Sequence, residues 1–433
     1  MAERAHIRQE QGTQATLSFL RELLGDYHPR DFAVELWDGT RWEPERSQFC
    51  RFTWKINNPG FLRSAVKSAN EVSFGEAYIY NDFDIEGDIQ AIFPVADYLL
   101  NRHWSFRQKL YLGNLLRRLP GDLGEHTAPG FELQGQVHSP RRDREAVTYH
   151  YDVSNNFYAL WLDENMVYSC AYFQTPQDEL DAAQEQKLDY ICRKLRLKPG
   201  ESLLDIGCGW GGLIVHAARD YGVLAKGITL SERQLDFARQ RIRQEGLTGK
   251  CEVELRDYRE LERFGEYDKL VSVGMVEHVG RARLPEYFEK AFRLLKPGGT
   301  FLNHGIGRAG NREISEEPSF TDAYVFPDGE LVPIAKMLDV AEHAGFEVRG
   351  VENLREHYVL TIAHWLRRLE ANAANAREIV GQIRYRIWRL YLAGSAHFFR
   401  TGKLDLYQSL LVKSEDGKSG LPLTCADWYE PAK

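Results

Sequence analysis

The chain has 433 residues, enough for two or three domains around a large buried core. Hydrophobic residues make up 43% and charged residues 27%, and the net charge of −8 speaks against nucleic acid, whose phosphates ask for a basic face. No run approaches the ~18 apolar residues of a membrane span, and residues 1–10 lack the apolar core of a secretion signal.

In chain order, a helical pattern at Leu17, Leu20 and Leu24 precedes a strand-like stretch over residues 32–37 and the turn Asp38-Gly39. Helical patterns over 59–69 and 89–116 complete a smaller mixed α+β domain, placed at residues 1–118. Within it, residues 101–120 carry five basic side chains (Arg102, Arg107, Lys109, Arg117, Arg118) and no acidic one. Trp104, Phe106, Leu110, Tyr111, Leu115, Leu116 and Leu119 interleave with them at helical spacing. A basic amphipathic helix can lie on an anionic membrane. A helix packed on its own domain with solvated arginines shows the same pattern. Gly, Pro and His then dominate a linker, set at 119–144.

From 145 to 433 the pattern becomes that of a catalytic domain. Strands at 202–206, 224–229, 251–255, 269–275 and 300–305 alternate with helices at 213–221, 232–245 and 284–295. That alternation reads as α/β, with a doubly wound, parallel, Rossmann-like sheet. Its functional crevice is expected at the carboxyl ends of the strands. Six cysteines stand singly at 50, 170, 192, 208, 251 and 425, so neither a disulfide framework nor a zinc site is suggested, and a reducing cytosol is expected.

The first strand of this domain runs into Asp205-Ile206-Gly207-Cys208-Gly209-Trp210-Gly211-Gly212. Glycines at 207, 209 and 211 permit a tight turn and close approach to a ligand, and the helix that follows offers free N–H groups to an anion. Nicotinamide and flavin enzymes use such loops too. Two details separate them: Asp205 sits just before the glycines, and the second strand ends in Gly227-Ile228-Thr229-Leu230-Ser231 without the acid that a dinucleotide ribose needs. An acid at Asp205 can hold the ammonium of S-adenosylmethionine or order the loop around it. Asp257, after the third strand, is placed to meet an adenine edge, an exposed turn aspartate being the bland alternative.

Further motifs follow in order. They include Tyr149-His150-Tyr151-Asp152 with Asn155, Met166-Val167-Tyr168-Ser169-Cys170, Gln234, Asp257-Tyr258-Arg259 and Val273-Gly274-Met275-Val276-Glu277-His278-Val279-Gly280. His304-Gly305-Ile306-Gly307, Tyr324-Val325-Phe326-Pro327-Asp328-Gly329 and His357-Tyr358 continue the set, and Phe74-Gly75-Glu76-Ala77-Tyr78 belongs to the first domain. Together they resemble the cyclopropane fatty acid synthase family over nearly the whole chain.

The resemblance implies a class I methyltransferase that moves the methyl of S-adenosylmethionine to the cis double bond of an unsaturated phospholipid acyl chain. Bound bicarbonate is the implied base that closes a cyclopropane ring. Its holders map onto Cys170 and Ile306, largely through backbone, and onto the side chains of Glu277, His304 and Tyr358. The cofactor set is Tyr168, Ser169, Asp205, Gly207, Gly209, Trp210, Gly211, Thr229, Leu230, Gln234, Asp257 and Tyr258; Tyr151, Tyr168, Trp210 and Tyr324 are the aromatic candidates for shielding a transient cation, of which Tyr168 and Trp210 are expected beside the cofactor. A cytoplasmic enzyme peripherally bound to the inner face of the membrane is expected, its first domain engaging the bilayer or a partner subunit, as in a homodimer. No metal is expected, and the Cys and His spacing gives a Glu/His/Cys metal site little support.

Two departures bear on the product. Ser395 stands where many relatives carry cysteine, and is expected to be harmless because methyl transfer to an alkene needs no covalent enzyme intermediate. Ser154 stands where glycine is frequent. Relatives that add a methyl branch without closing a ring share this architecture and form the alternative reading, as does a non-catalytic lipid-binding protein.

Overall fold

The computed structural model describes residues 2–46, 48–68, 70–121, 135–151, 153–310 and 318–429. It divides into two compact units. One comprises Met1–Gly130, Glu317–Tyr324 and Gln382–His397, and the other Phe131–Glu316, Val325–Gly381 and Phe398–Lys433. Of the stretch expected as linker, residues 122–134 lie outside the described ones and Pro140–Tyr151 is helical. Asp152 and the side chain of Tyr151 also lie outside them.

The first unit holds a four-stranded sheet of β1 (Phe32–Leu36), β2 (Arg41–Trp42), β3 (Phe52–Ile56) and β4 (Phe83–Gly87), in the order β2-β1-β3-β4. The sequence signals β1, whose Phe32, Val34 and Leu36 are buried, but not β3 or β4, whose Lys55, Asp84 and Glu86 interrupt the apolar pattern on a face that water reaches. Phe32 stacks on Phe52 with ring centroids 4.7 Å apart, across the parallel β1–β3 pair. The helix expected over 89–116 divides into Ile92–Asn101 and Phe106–Arg118. Ser105 causes the break: it accepts from Gln108 N–H, and the Gln108 side chain returns the bond in a capping box. Segment 382–397 joins this unit through two buried arginines. Arg386 donates to the carbonyls of Tyr78 (2.7 Å) and Phe83 (2.9 Å), and Arg389 to the Tyr78 hydroxyl (2.8 Å) and the Ile85 carbonyl (3.0 Å).

The second unit is built on seven strands: β5 (Ser202–Ile206), β6 (Leu224–Thr229), β7 (Cys251–Leu255), β8 (Tyr267–Val273), β9 (Leu295–Arg308), β10 (Glu347–Asn353) and β11 (Leu404–Val412). Their order is β10-β11-β9-β8-β5-β6-β7. β5 to β9 are parallel, as the alternating pattern predicts, but β11 inserts antiparallel between β9 and β10, so the sheet is mixed. Adjacent residues point to opposite faces. Leu203, Val271, Leu302 and Leu410 therefore enter one core, while Leu204, Leu270, Phe301 and Leu411 enter the other. Burial on both faces explains why Leu203-Leu204, Leu270-Val271, Phe301-Leu302 and Leu410-Leu411 are adjacent apolar pairs rather than an alternation. No helix among the described residues is long and apolar enough to cross a membrane.

Candidate active site

The carboxyl ends of β5 and β6 bound a cavity of about 160 Å³. Gly207, Gly209 and Gly211 all take positive φ (86°, 55° and 83°), which side chains disfavour. The N–H groups of Gly207 and Cys208 donate to the Ile228 carbonyl (3.0 and 2.9 Å), pinning the loop to β6. A Cβ at Gly209 would meet nothing within 4 Å, leaving backbone open to a ligand. Gly211 does not line the cavity; its Cβ would come within 3.0 Å of Ala238, so it serves helix packing. Tyr168, Ser169, Asp205, Gly207, Gly209, Trp210, Thr229, Leu230, Gln234, Asp257 and Tyr258, all expected from the sequence, line the cavity.

At the end of β6, Thr229 Oγ1 donates to Gln234 Oε1 (2.7 Å), and Ser231 caps the helix Glu232–Gln244 by accepting from Gln234 N–H. The Asp257 carboxylate is already engaged by Arg259, through Nε (2.9 Å) and the backbone N–H (2.9 Å), and Arg259 also pairs with Asp143 (3.0 Å). Asp257 thus shapes the wall through Arg259 in this structure.

Asp205 is buried, and its Oδ1 has no hydrogen-bond partner. Burial pushes its pKa up to about 7, opposed by the charge of Lys187. An orphaned carboxylate oxygen in a glycine-lined cavity fits an ammonium donor such as that of S-adenosylmethionine. Lys187, which sequence reasoning missed, is equally buried on the cavity floor and donates to Ser169 Oγ at 3.0 Å. Desolvation pushes it down to about 8, against the pull of Asp163, Cys170 and Asp205. A signal existed: Gln184 and Lys187 are polar residues on the apolar stripe of Leu180, Ala183, Leu188 and Ile191 in the helix Leu180–Leu195.

An aromatic wall extends from the cavity. Trp210 lies 5.0 Å from Tyr158, Tyr158 5.6 Å from Tyr168, Tyr168 5.2 Å from Trp365, and Trp365 5.8 Å from Tyr358. Trp210 Nε1 is anchored on Asn155 Oδ1 (2.9 Å) and the Tyr158 hydroxyl on the His150 carbonyl (2.7 Å). The proposed cofactor neighbours Tyr168 and Trp210 are thereby connected to Tyr358. Tyr324 is not part of this wall: it belongs to the first unit, where its hydroxyl donates to Glu76 (2.8 Å).

The five residues expected to hold an oxyanion stand on two sets of elements, β9 with the turn Val276–His278 and the Cys170 segment with the helix Arg355–Ala371, and none of them lines the cavity just described. In the first, Glu277 Oε1 accepts from the Ile306 N–H at 2.6 Å, and His304 stands two residues before Ile306 on β9. Glu277 Oε2 and His304 Nε2 are buried without partners. Burial pushes Glu277 up to about 7 and holds His304 well below its ordinary value, helped by the charges of Lys187 and Lys194. In the second group, Cys170 Sγ lies 3.8 Å from the Leu354 carbonyl and 4.0 Å from Thr361 Oγ1, at the helix Arg355–Ala371 that carries Tyr358. Burial raises the Cys170 thiol, so it stays protonated and is a poor nucleophile. Among the described residues, Glu185, His216 and Asp220 have a metal-ligand composition, but Arg219 already pairs with Asp220 (2.8 Å) and Glu185 (3.6 Å).

Comparison with known proteins agrees with this geometry. A family described as mycolic acid cyclopropane synthetase matches residues 138–409, and a domain of unknown function matches residues 19–108. A "Probable fatty acid methyltransferase" of Pseudomonas putida is 42% identical over 403 residues, which is 92% of this chain and 95% of that protein. The cyclopropane-fatty-acyl-phospholipid synthase of Escherichia coli (strain K12) is 31% identical over 372 residues, 85% of this chain and 89% of its own. The structure of mycolic acid cyclopropane synthase CmaA1 complexed with SAH and CTAB matches with a TM-score of 0.59 at 34% identity, over 62% of this chain and 97% of that one. The sheet, the glycine loop and these relatives together place the chain in the mycolic acid cyclopropane synthetase family.

Proposed function

We propose that this protein transfers the methyl group of S-adenosylmethionine to the cis double bond of an unsaturated acyl chain in a membrane phospholipid, and that the cation so formed gives up a proton to a base, leaving a methyl-branched, still unsaturated chain and S-adenosylhomocysteine. The observation that carries the reading is the buried, unpartnered Asp205 Oδ1 on a cavity from which an aromatic wall runs to Tyr358. Support for an acyl acceptor comes from the family. Support for branching over ring closure comes from the 42% relative over 92% of the chain, which is named a probable fatty acid methyltransferase; relatives named for cyclopropane formation match at 38% over 62% of the chain and at 31% over 85%.

S-adenosylmethionine supplies an electrophilic methyl on a sulfonium. The chain's own groups do the rest. Asp205 would receive the ammonium end, with Lys187 holding Ser169 and balancing the carboxylate's charge. The loop backbone at Gly207 and Gly209 gives close approach. An alkene is a weak, uncharged nucleophile, so alignment and exclusion of water carry the rate. Tyr158, Tyr168, Trp210 and Trp365 exclude water, and their π faces favour the positive charge that develops on the acyl chain.

Ring closure is the second reading, favoured by Glu277 Oε2 and His304 Nε2. Two buried polar atoms without partners fit a small oxyanion such as bicarbonate, able to take the proton lost from the new methyl. The Ile306 N–H, another donor expected there beside the Cys170 backbone and Tyr358, points to Glu277 instead.

A membrane partner is supported by the helix Phe106–Arg118. Phe106 (76% exposed), Leu110 (56%) and Tyr111 (51%) face solvent beside exposed Arg107, Lys109, Arg117 and Arg118, and only Leu115 of this helix is buried. Incubation with unsaturated phospholipid vesicles and methyl-labelled cofactor tests the proposal. Labelled lipid is expected. Upfield ring-proton signals in NMR would select the cyclopropane over its isobaric branched alkene, and unlabelled lipid would overturn both.

A further inference from the structure

We infer that Gln408 is a positioning residue that, oriented by Lys194, fixes His304 as the tautomer carrying hydrogen on Nε2, so that the reaction cluster presents a neutral donor to an oxyanion and no ligand to a metal ion. The inference rests on the proposed role of His304 and adds residues that the family resemblance does not assign here.

Gln408 of β11 lies directly opposite His304 of β9 in the antiparallel pair, so both side chains share one face of the sheet. Their contact is 3.0 Å, from Gln408 Nε2 to His304 Nδ1. An amide can present either end to an imidazole, so this contact alone leaves the tautomer open.

Lys194 closes the question. Its Nζ lies 2.7 Å from the other end of the Gln408 amide and is paired with Glu352. Glu352 in turn accepts from the Tyr190 hydroxyl at 3.0 Å. The Lys194 ammonium also sits over the rings of Tyr190 (4.3 Å) and Trp428 (5.1 Å). An ammonium only donates, so the amide end facing it must be oxygen. The NH₂ end then faces His304 and donates, which makes Nδ1 the acceptor. A neutral imidazole that accepts at Nδ1 carries its hydrogen on Nε2.

The whole relay is buried: Lys194 and Gln408 are each 2% exposed and His304 1%. Water therefore cannot supply an alternative partner and scramble the orientation. The outcome is a buried Nε2–H with no acceptor in the protein. A buried donor left unpaired is costly, so the group that completes the site must be an acceptor. That fits a carbonate-like oxyanion and excludes a metal at Nε2, whose lone pair is absent in this tautomer.

The test uses full-length protein labelled with ¹⁵N-histidine, whose long-range ¹H–¹⁵N pattern distinguishes the two tautomers. The His304 signals are identified by their loss in His304→Gln. The native protein is expected to show the Nε2–H pattern at His304, unshifted by zinc chloride. Gln408→Glu, which replaces the donor by an acceptor of the same length, is expected to switch His304 to Nδ1–H. It should also lower turnover by about ten-fold or more with cofactor affinity retained. An Nδ1–H pattern in the native protein, a zinc-induced shift at Nε2, or an unchanged tautomer in a folded Gln408→Glu would overturn the inference. If Gln408→Glu fails to fold, the native spectrum decides. Native protein that methylates no lipid would sink the proposed function while leaving the tautomer measurement intact, so the two failures are distinguishable.

Discussion

Glu277 and Asp205 are two buried carboxyls with opposite tasks, and their protonation separates them experimentally. Glu277 is pushed up to about 7 by burial, so it changes charge near neutral pH, where proton-transfer groups are most effective. Glu277→Gln keeps an oxygen for the Ile306 N–H and should bind cofactor normally while losing about a hundred-fold in turnover. In the native enzyme the rate should rise as pH increases through about 7, and that limb should vanish in the variant. Methyl-label incorporation across pH, with calorimetry for cofactor binding, checks both. Asp205 gives a stability prediction. Its folded pKa of about 7 lies above the ordinary value of 3.8, so the folded chain binds the extra proton between these limits. Stability therefore falls as pH rises from about 4 to 7 and stays lowered above that range. Asp205→Asn removes the cost, so its ligand-free melting temperature should exceed the native one by at least ~2 °C at pH 8, by less at pH 5, with cofactor binding lost. A variant that melts lower at pH 8 would refute the burial argument. At this scale the sequence shows residue types at motif positions. It does not show that Tyr324 faces Glu76, or that the Asp257 carboxylate is already taken by Arg259.

Turns and strand ends set where these side chains stand. The segment Val276–His278, a short 3-10 turn, carries Glu277, and β9 carries His304 and Ile306, with Gly305 between them. A Cβ at Gly305 would lie 2.3 Å from Val276 Cγ1. Gly305→Ala should push the turn away, cost about 1–3 kcal/mol in denaturant unfolding, and lower turnover more than it lowers cofactor affinity. Stability and turnover both unchanged would show that the turn is free to shift. The strands β5, β6 and β7 were legible to the residue because they alternate with helices of clear period, β5 running apolar into the glycine loop and β7 alternating apolar and acidic residues. The same reading missed β3 and β4, whose charged residues alternate with the buried ones. It also missed the break at Ser105, a capping geometry hidden inside a continuous helical pattern.

For the molecule as a whole, the exposed apolar and basic side chains of Phe106–Arg118 lead to a test of membrane attachment. Arg117→Glu with Arg118→Glu should weaken binding to anionic vesicles by at least about ten-fold, since each basic residue near such a surface contributes about 1 kcal/mol, and added salt should weaken native binding in the same direction. Sedimentation with phosphatidylglycerol vesicles reads it; equal binding of native and variant protein would remove this helix from the account. Ser395, the departure most visible in the sequence, falls in segment 382–397 and counts with the first unit.

The sequence by itself determined what depends on neighbours along the chain: the alternation of strand and helix, the glycine turn after β5 and the motif order that marks the family. Such features are written in a few consecutive residues because backbone sterics and apolar period act locally. Only the tertiary structure decided which distant groups meet. It set β11 antiparallel beside β9, aligned Gln408 with His304, and buried Arg386 and Arg389 against β4. It also placed Lys187 beneath Ser169. A buried polar group must find a partner wherever the fold supplies one, and that partner leaves no periodic trace in the chain.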